Sequence, residues 1–135
     1  MKNTNSKTNE TPIILSRGIF DLLKDHIKRK QLSRYNEQKL ELELRSAKQV
    51  LRKDLPETIV SINKKVKVKE LSSGNEYTYQ LVAAHEAKRK NGTLSILSPI
   101  GVALLGYEQG AELTWEMPEG IRSYQILAVS NLTKG

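Results

Sequence analysis

The side chains that could do chemistry in this chain are few, and most of them stand alone. The two histidines, His26 and His85, lie far apart with no second imidazole or carboxylate at ligand spacing, so structural roles outweigh metal binding. There is no cysteine, which excludes thiolate zinc sites, disulfide scaffolds, CxxC redox chemistry and a cysteine nucleophile together. Gly101 and Gly106 flank the apolar turn Val102-Ala103-Leu104-Leu105 and are not a phosphate loop, because the strand, glycine, helix order ending in Lys-Ser is absent. Hydroxyls are plentiful, yet no GxSxG elbow occurs. The pattern assigns no catalytic residue, no metal ligand and no cofactor, and a binding role ranks above an enzyme. What does concentrate is charge. Between Lys28 and Lys39 stand Lys28, Arg29, Lys30, Arg34 and Lys39 against Glu37 alone, a net +4, with Tyr35 and Asn36 among them. Such a segment can enter a negatively charged cavity or lie on phosphates; an ordinary hydrophilic turn explains it about as well. Lys88-Arg89-Lys90 reads as a solvated loop, and Lys65, Lys67 and Lys69 as the wet face of a half-buried strand.

The elements that position this charge are set by length and pattern. The chain has 135 residues, 15.3 kDa, 38% hydrophobic residues and a mean hydropathy of -0.50, enough for one compact domain with a small core. Its net charge is +7 and its pI about 9.6. Residues 1 to 55 hold 13 basic and 7 acidic side chains, whereas residues 56 to 135 hold 9 and 8. Pro56 cannot continue a helix, and the hydrophobic period changes across it, so the parts are read as a polar arm (1–12), a helical hairpin (13–55) and a sheet module (56–135). The arm has no hydrophobic segment behind its lysines and reads as disordered, not as a secretory signal. No apolar run approaches the roughly 18 residues of a membrane span. The expectation is a cytoplasmic protein without membrane contact, of open oligomeric state with a monomer favoured.

In the first part, Ser16 is a good N-cap for a helix carrying Ile19, Phe20, Leu23 and Ile27, with Leu15 placed to staple onto Phe20. A second helix opens near Ser33 to Asn36 and aligns Leu40, Leu44, Ala47 and Leu51, with Leu42 and Val50 widening the seam and Glu41 four residues before Arg45. Two helices of about 17 residues, each near 25 Å, make an antiparallel hairpin that must lean on the second module for burial. In that module Val60, Ile62, Val66 and Val68 alternate as one strand, Ser73-Gly74-Asn75 turns, and Tyr77 to Ala83 returns. Asn91-Gly92 signals a second hairpin into a strand at Leu94 to Leu97. Ser98 as N-cap, Pro99 at the first helical position and Gly106 beyond the end specify a short buried helix. Leu113, Trp115 and Met117 alternate in the next strand. Pro118-Glu119-Gly120 turns the chain, and Ile121 to Val129 forms a last strand with apolar residues on both parities. The class is α+β: a short antiparallel helical hairpin followed by an antiparallel or mixed sheet with one short helix.

Ser98-Pro99-Ile100-Gly101-Val102-Ala103-Leu104-Leu105-Gly106, then Glu108-Gln109-Gly110-Ala111-Glu112 and Trp115-Glu116-Met117-Pro118-Glu119-Gly120, resembles the C-terminal domain of bacterial Gre-type transcript-cleavage factors. Val66-Lys67-Val68 and Tyr77-Thr78-Tyr79-Gln80-Leu81-Val82 fit the same pattern, so the likeness covers about residues 58 to 130. It implies an FKBP-like fold and association with RNA polymerase near its secondary channel, with nucleic-acid contact only through that complex. Within the superfamily the chain is most similar to the Rnk proteins, described as regulators of nucleoside diphosphate kinase, through Pro12-Ile13-Ile14-Leu15 and Leu55-Pro56-Glu57-Thr58-Ile59-Val60-Ser61-Ile62-Asn63. The resemblance makes Ser98, Pro99 and Ile100 the docking positions, with Leu97 where Gre factors usually carry an acid. The hairpin tip read from the pattern holds Lys28, Arg29, Lys30, Arg34, Tyr35, Asn36 and Glu37. Gre factors present acidic residues there to the polymerase's catalytic magnesium; a single Glu beside five cations is poorly suited to that, so cleavage stimulation is not implied. The implied role is a polymerase-binding regulator competing with Gre factors. The alternatives are a prolyl isomerase or chaperone of the FKBP-like kind, using Tyr77, Tyr79, Tyr107, Trp115 and Tyr124, or direct nucleic-acid binding by the basic half.

Overall fold

The computed structural model describes residues 11–88 and 91–132; the polar arm up to residue 10, together with Arg89 and Lys90 of the basic loop, lies outside them. A short strand, β1 (Ile14–Ser16), runs directly into helix α1 (Arg17–Lys28), where the Ser16 hydroxyl accepts the Ile19 N–H at 3.3 Å. The chain reverses through Lys30, held at a φ of 58°, and Ser33 caps α2 (Arg34–Ser46) by accepting the Asn36 N–H at 3.2 Å. Leu23, Leu40 and Leu44 are the buried apolar residues of the two helices.

The helices are shorter than their apolar seam suggests. They have 12 and 13 residues, about 18 and 20 Å at 1.5 Å per residue, instead of about 17 residues and 25 Å each. Ala47 turns extended at φ -63° and ψ 140°, and Lys48–Val50 becomes β2, pairing in parallel with β1. Leu51, which the seam would place on the helix, lies beyond the strand and is 50% exposed. The strand instead gains ladder bonds, among them Lys48 N–H to the Ile13 carbonyl at 2.9 Å, beside the buried Ile13 and Leu15. Leu15 thus belongs to a strand and the common core.

A single-turn 3-10 segment, Arg52–Asp54, leads past Pro56. Val60 and Ile62 do not share a strand with Val66 and Val68: Asn63 sits at a φ of 64°, and β3 starts after it, at Lys64–Glu70. The Val60 backbone is satisfied elsewhere, donating to the Tyr107 carbonyl at 2.9 Å and accepting from Gly106 at 3.0 Å. β3 pairs with β4 (Glu76–Val82) across a turn with Gly74 at a φ of 79°. β5 (Thr93–Ser95), β6 (Glu112–Met117) and β7 (Gly120–Asn131) complete a five-stranded sheet of order β5-β4-β3-β7-β6.

Two strand expectations change. Asn91-Gly92 does not close a hairpin, because β5 runs parallel to β4. Of the two residues only Gly92 has positive φ, at 70°, whereas the two-residue hairpin turn needs it at both. The apolar residues on both parities of β7 come from a register shift, with Lys67 opposite Ala128 but Val68 opposite Ile126. One extra residue changes the parity, so Tyr124 and Ile126 before it and Val129 after it are all buried. β7 is nevertheless interior, between β3 and β6.

Helix α3 (Pro99–Leu104) is capped by Ser98, whose hydroxyl accepts the Gly101 N–H at 3.2 Å. A Cβ at Gly101 would stand 2.7 Å from the Ser95 and Ile96 carbonyl oxygens, so glycine lets the helix lie on that backbone. Ile100, Leu104, Trp115 and Ile126 join Ile13, Leu15, Leu23 and Leu40 in one continuous core. Among the described residues no helix is long and apolar enough to cross a membrane.

Candidate functional site

The cationic turn between α1 and α2 is only partly free. Arg29 pairs with Asp25 at 2.9 Å, one helical turn earlier, and Lys30 reaches Glu37 at 3.2 Å across the turn. Lys39 lies outside the exposed group: its ammonium sits 2.6 Å from Glu43 and 2.9 Å from the Tyr107 hydroxyl, and 5.4 Å from that ring's centre. The Tyr107 hydroxyl also donates to Glu43. Burial, and then the Glu43 carboxylate, raise the Tyr107 phenol far above its ordinary range, so the phenol stays protonated. Among the described residues Lys28 and Arg34 have no carboxylate within ion-pair distance, and Tyr35 is 39% exposed.

Asn36 belongs to the inside of the molecule. It is 5% exposed; its amide donates to the Glu116 carbonyl at 2.9 Å and its oxygen accepts the Glu116 N–H at 2.8 Å. A side chain thus takes the place of a neighbouring strand at the edge of the sheet, where β6 would otherwise leave both groups open. The helical turn does not project freely: its second helix is pinned to β6 by Asn36 and to the Tyr107 loop by Lys39 and Glu43. Glu41 and Arg45, which spacing pairs, form no ion pair; the bond falls two positions earlier, at Lys39 and Glu43.

The positions that the resemblance singles out for docking also divide. Pro99 is exposed, Ser98 is half-buried with its hydroxyl used in the cap, and Ile100 is 6% exposed within the core. His26 is 7% exposed, and burial, followed by Arg29, lowers its pKa; His85 is exposed. Among the described residues no cluster of three or more His, Asp and Glu could hold a metal ion. Trp115 and Tyr124 are buried in the core and Tyr107 is tied to Glu43, which leaves only Tyr77 and Tyr79, stacked at 6.2 Å, of the five aromatics an isomerase pocket would draw on. The sequence reading missed Lys64. Its side chain is 9% exposed, and its ammonium contacts the Glu57 carbonyl at 3.0 Å, the Glu57 carboxylate at 3.3 Å and the Asn131 amide oxygen at 2.6 Å. Its one signal is phase, since Lys64 falls in step with Val66 and Val68.

A short helical pair locked to the edge of a mixed five-stranded sheet, with a capped helix seated in its core and a cationic turn between the helices, makes up an α+β protein. The family described as "Transcription elongation factor, GreA/GreB, C-term" matches residues 55–131. The chain belongs to this GreA/GreB family. It is 34% identical over 90 residues to the transcription elongation factor GreA of Syntrophomonas wolfei, covering 67% of this chain and 57% of that protein. It is 33% identical over 85 residues to the regulator of nucleoside diphosphate kinase of Escherichia coli, covering 63% and 62%. A solved GreA/GreB factor from Nitrosomonas europaea superposes with a TM-score of 0.62 at 31% identity, over 90% of this chain and 99% of that one. The chain spans about 40 to 60% of the length of the curated relatives it matches.

Proposed function

We propose that the chain is a cytoplasmic, non-enzymatic transcription regulator that binds RNA polymerase near its secondary channel, does not stimulate transcript cleavage, and competes there with Gre-type factors. One observation carries this reading: a sheet module of the GreA/GreB type is joined to a short helical pair whose turn holds a single carboxylate, Glu37, already engaged by Lys30. Holding an added magnesium calls for several oxygen ligands, and one lysine-paired carboxylate among cations supplies too few. The proposed contacts are Ser98 and Pro99 on the sheet module, and Lys28, Arg29, Lys30, Arg34 and Tyr35 on the turn. Ile100 and Asn36 act from inside by fixing those segments.

The test is retention on immobilised core polymerase and displacement by a GreA protein, beside a cleavage assay on stalled complexes. Expected are saturable retention, mutual displacement and no added cleavage. Absent retention removes the proposal, and added cleavage removes its second part. Salt-sensitive binding to free nucleic acid that persists without polymerase favours the basic half as a direct nucleic-acid binder instead.

A further inference from the structure

A second site lies away from the turn. A cavity of about 590 Å³ opens where the start of α1 faces the segment leading into β3, lined by Ser16, Arg17, Gly18, Arg52, Ser61 and Lys64 among others. Four observations converge on an anion.

The first-turn N–H groups of a helix have no intrahelical partner and carry the positive end of its dipole. In α1 the Ile19 N–H is taken by Ser16, while the Gly18 N–H has no hydrogen-bond partner among the described residues. Second, this turn contains no acidic residue and begins with Arg17, a charge of the sign the dipole repels. Third, Ser61 is 9% exposed and lines the cavity, yet its hydroxyl has no hydrogen-bond partner among the described residues, although buried hydroxyls are nearly always paired. Fourth, the cavity's charges are Arg17, Arg52 and Lys64 against one carboxylate, Glu57, which is committed to Lys64 and Asn131. Arg17 and Arg52 have no carboxylate within ion-pair distance among the described residues.

We propose that this cavity binds a phosphoryl group, held by the Gly18 N–H in the first turn of α1, the Ser61 hydroxyl and the guanidiniums of Arg17 and Arg52. The ligand is free phosphate or a small organic phosphate such as a nucleotide. Leu51 and Leu55 also line the cavity, and its volume lies within the roughly 300 to 1,000 Å³ of small-molecule sites. The proposal does not depend on polymerase binding.

The test is a titration of the full-length, isotope-labelled chain with inorganic phosphate, with ADP and with adenosine, followed by amide shifts. Expected are saturable shifts at Arg17, Gly18, Ile19 and Ser61 with phosphate or ADP and none with adenosine. Tighter binding of ADP identifies an organic phosphate, and equal binding identifies free phosphate. Arg17 and Arg52 are exposed, so the double variant R17A/R52A should keep its fold and weaken binding at least tenfold; Ser61→Ala should weaken it at least threefold. The proposal is overturned if neither phosphate nor ADP gives localised, saturable shifts below roughly 10 mM. It is equally overturned if adenosine matches ADP, or if the double variant binds as well as the parent.

Discussion

Replacing Asn36 with alanine tests whether the helical pair is a rigid part of the molecule or an appendage. The substitution removes both bonds to Glu116, at 2.9 and 2.8 Å, from a side chain 5% exposed. A hydrogen bond contributes about 0.5 to 1.5 kcal/mol net, so the pair is worth about 2 kcal/mol, the half-buried Glu116 backbone regaining some water. Urea unfolding should show that loss as a lower midpoint with an unchanged slope. Ser33→Ala removes the α2 cap that accepts from the Asn36 N–H and should cost about 1 kcal/mol. Because both changes loosen one turn, the double variant should lose less than the sum. The Glu116 amide should also exchange faster in N36A, while amides in the middle of β3 keep their protection relative to global stability. A loss under about 0.5 kcal/mol, or strict additivity with S33A, would refute the pinned arrangement.

Two glycines give opposite expectations. Gly101→Ala should destabilise by about 3 kcal/mol, because the new Cβ meets two carbonyl oxygens at 2.7 Å and backbone yields poorly. Gly18→Ala, with open space around it in a helical turn, should stabilise by about 0.5 kcal/mol, and urea midpoints decide both. Burial, then the neighbouring phenols of Tyr124 and Tyr77, push Tyr79 up to about 12. Its protonated form is therefore favoured in the folded state. That stability is fully present below the unfolded value near 10 and is lost as pH rises from about 10 to 12. Tyr79→Phe should flatten the alkaline stability profile in that window, and an unchanged slope would count against the cause given.

Much of the fold is legible where local signals and burial agree. Ser16 and Ser98 each cap the helix their spacing assigns, and Ser33 caps the helix expected to open near it, because a cap is a contact within four residues and needs no tertiary information. The errors fall where a distant partner decides. Lys48–Val50 continues a helical pattern, yet becomes a strand because β1 offers it a parallel partner more than thirty residues back. Asn91-Gly92 does not form the turn its chemistry favours, only Gly92 taking positive φ, and it leads into a parallel partner, since the neighbour of β5 is chosen by the sheet and not by the turn.

The same division governs the sites. Charge in the turn is readable from composition, but which charges are free is not: Arg29, Lys30 and Lys39 are neutralised by Asp25, Glu37 and Glu43, and only geometry separates them from Lys28 and Arg34. Asn36 looks like a tip residue in sequence, and its true partner, Glu116, lies 80 positions away. The cavity at the start of α1 is more hidden still. Arg17 and Arg52 come from the helical half, while Ser61 and Lys64 come from the sheet module. A count by halves assigns the excess charge to the first half, yet at this junction cations from both halves line one cavity. The basic character is therefore concentrated at two places of different build. One is an exposed turn, where ion pairs thin the field. The other is a partly enclosed cavity, where a helix end and an unpaired hydroxyl give the charge a direction. Directed donors in a confined space select a ligand by shape as well as sign, whereas an exposed turn responds mainly to the potential of a large surface.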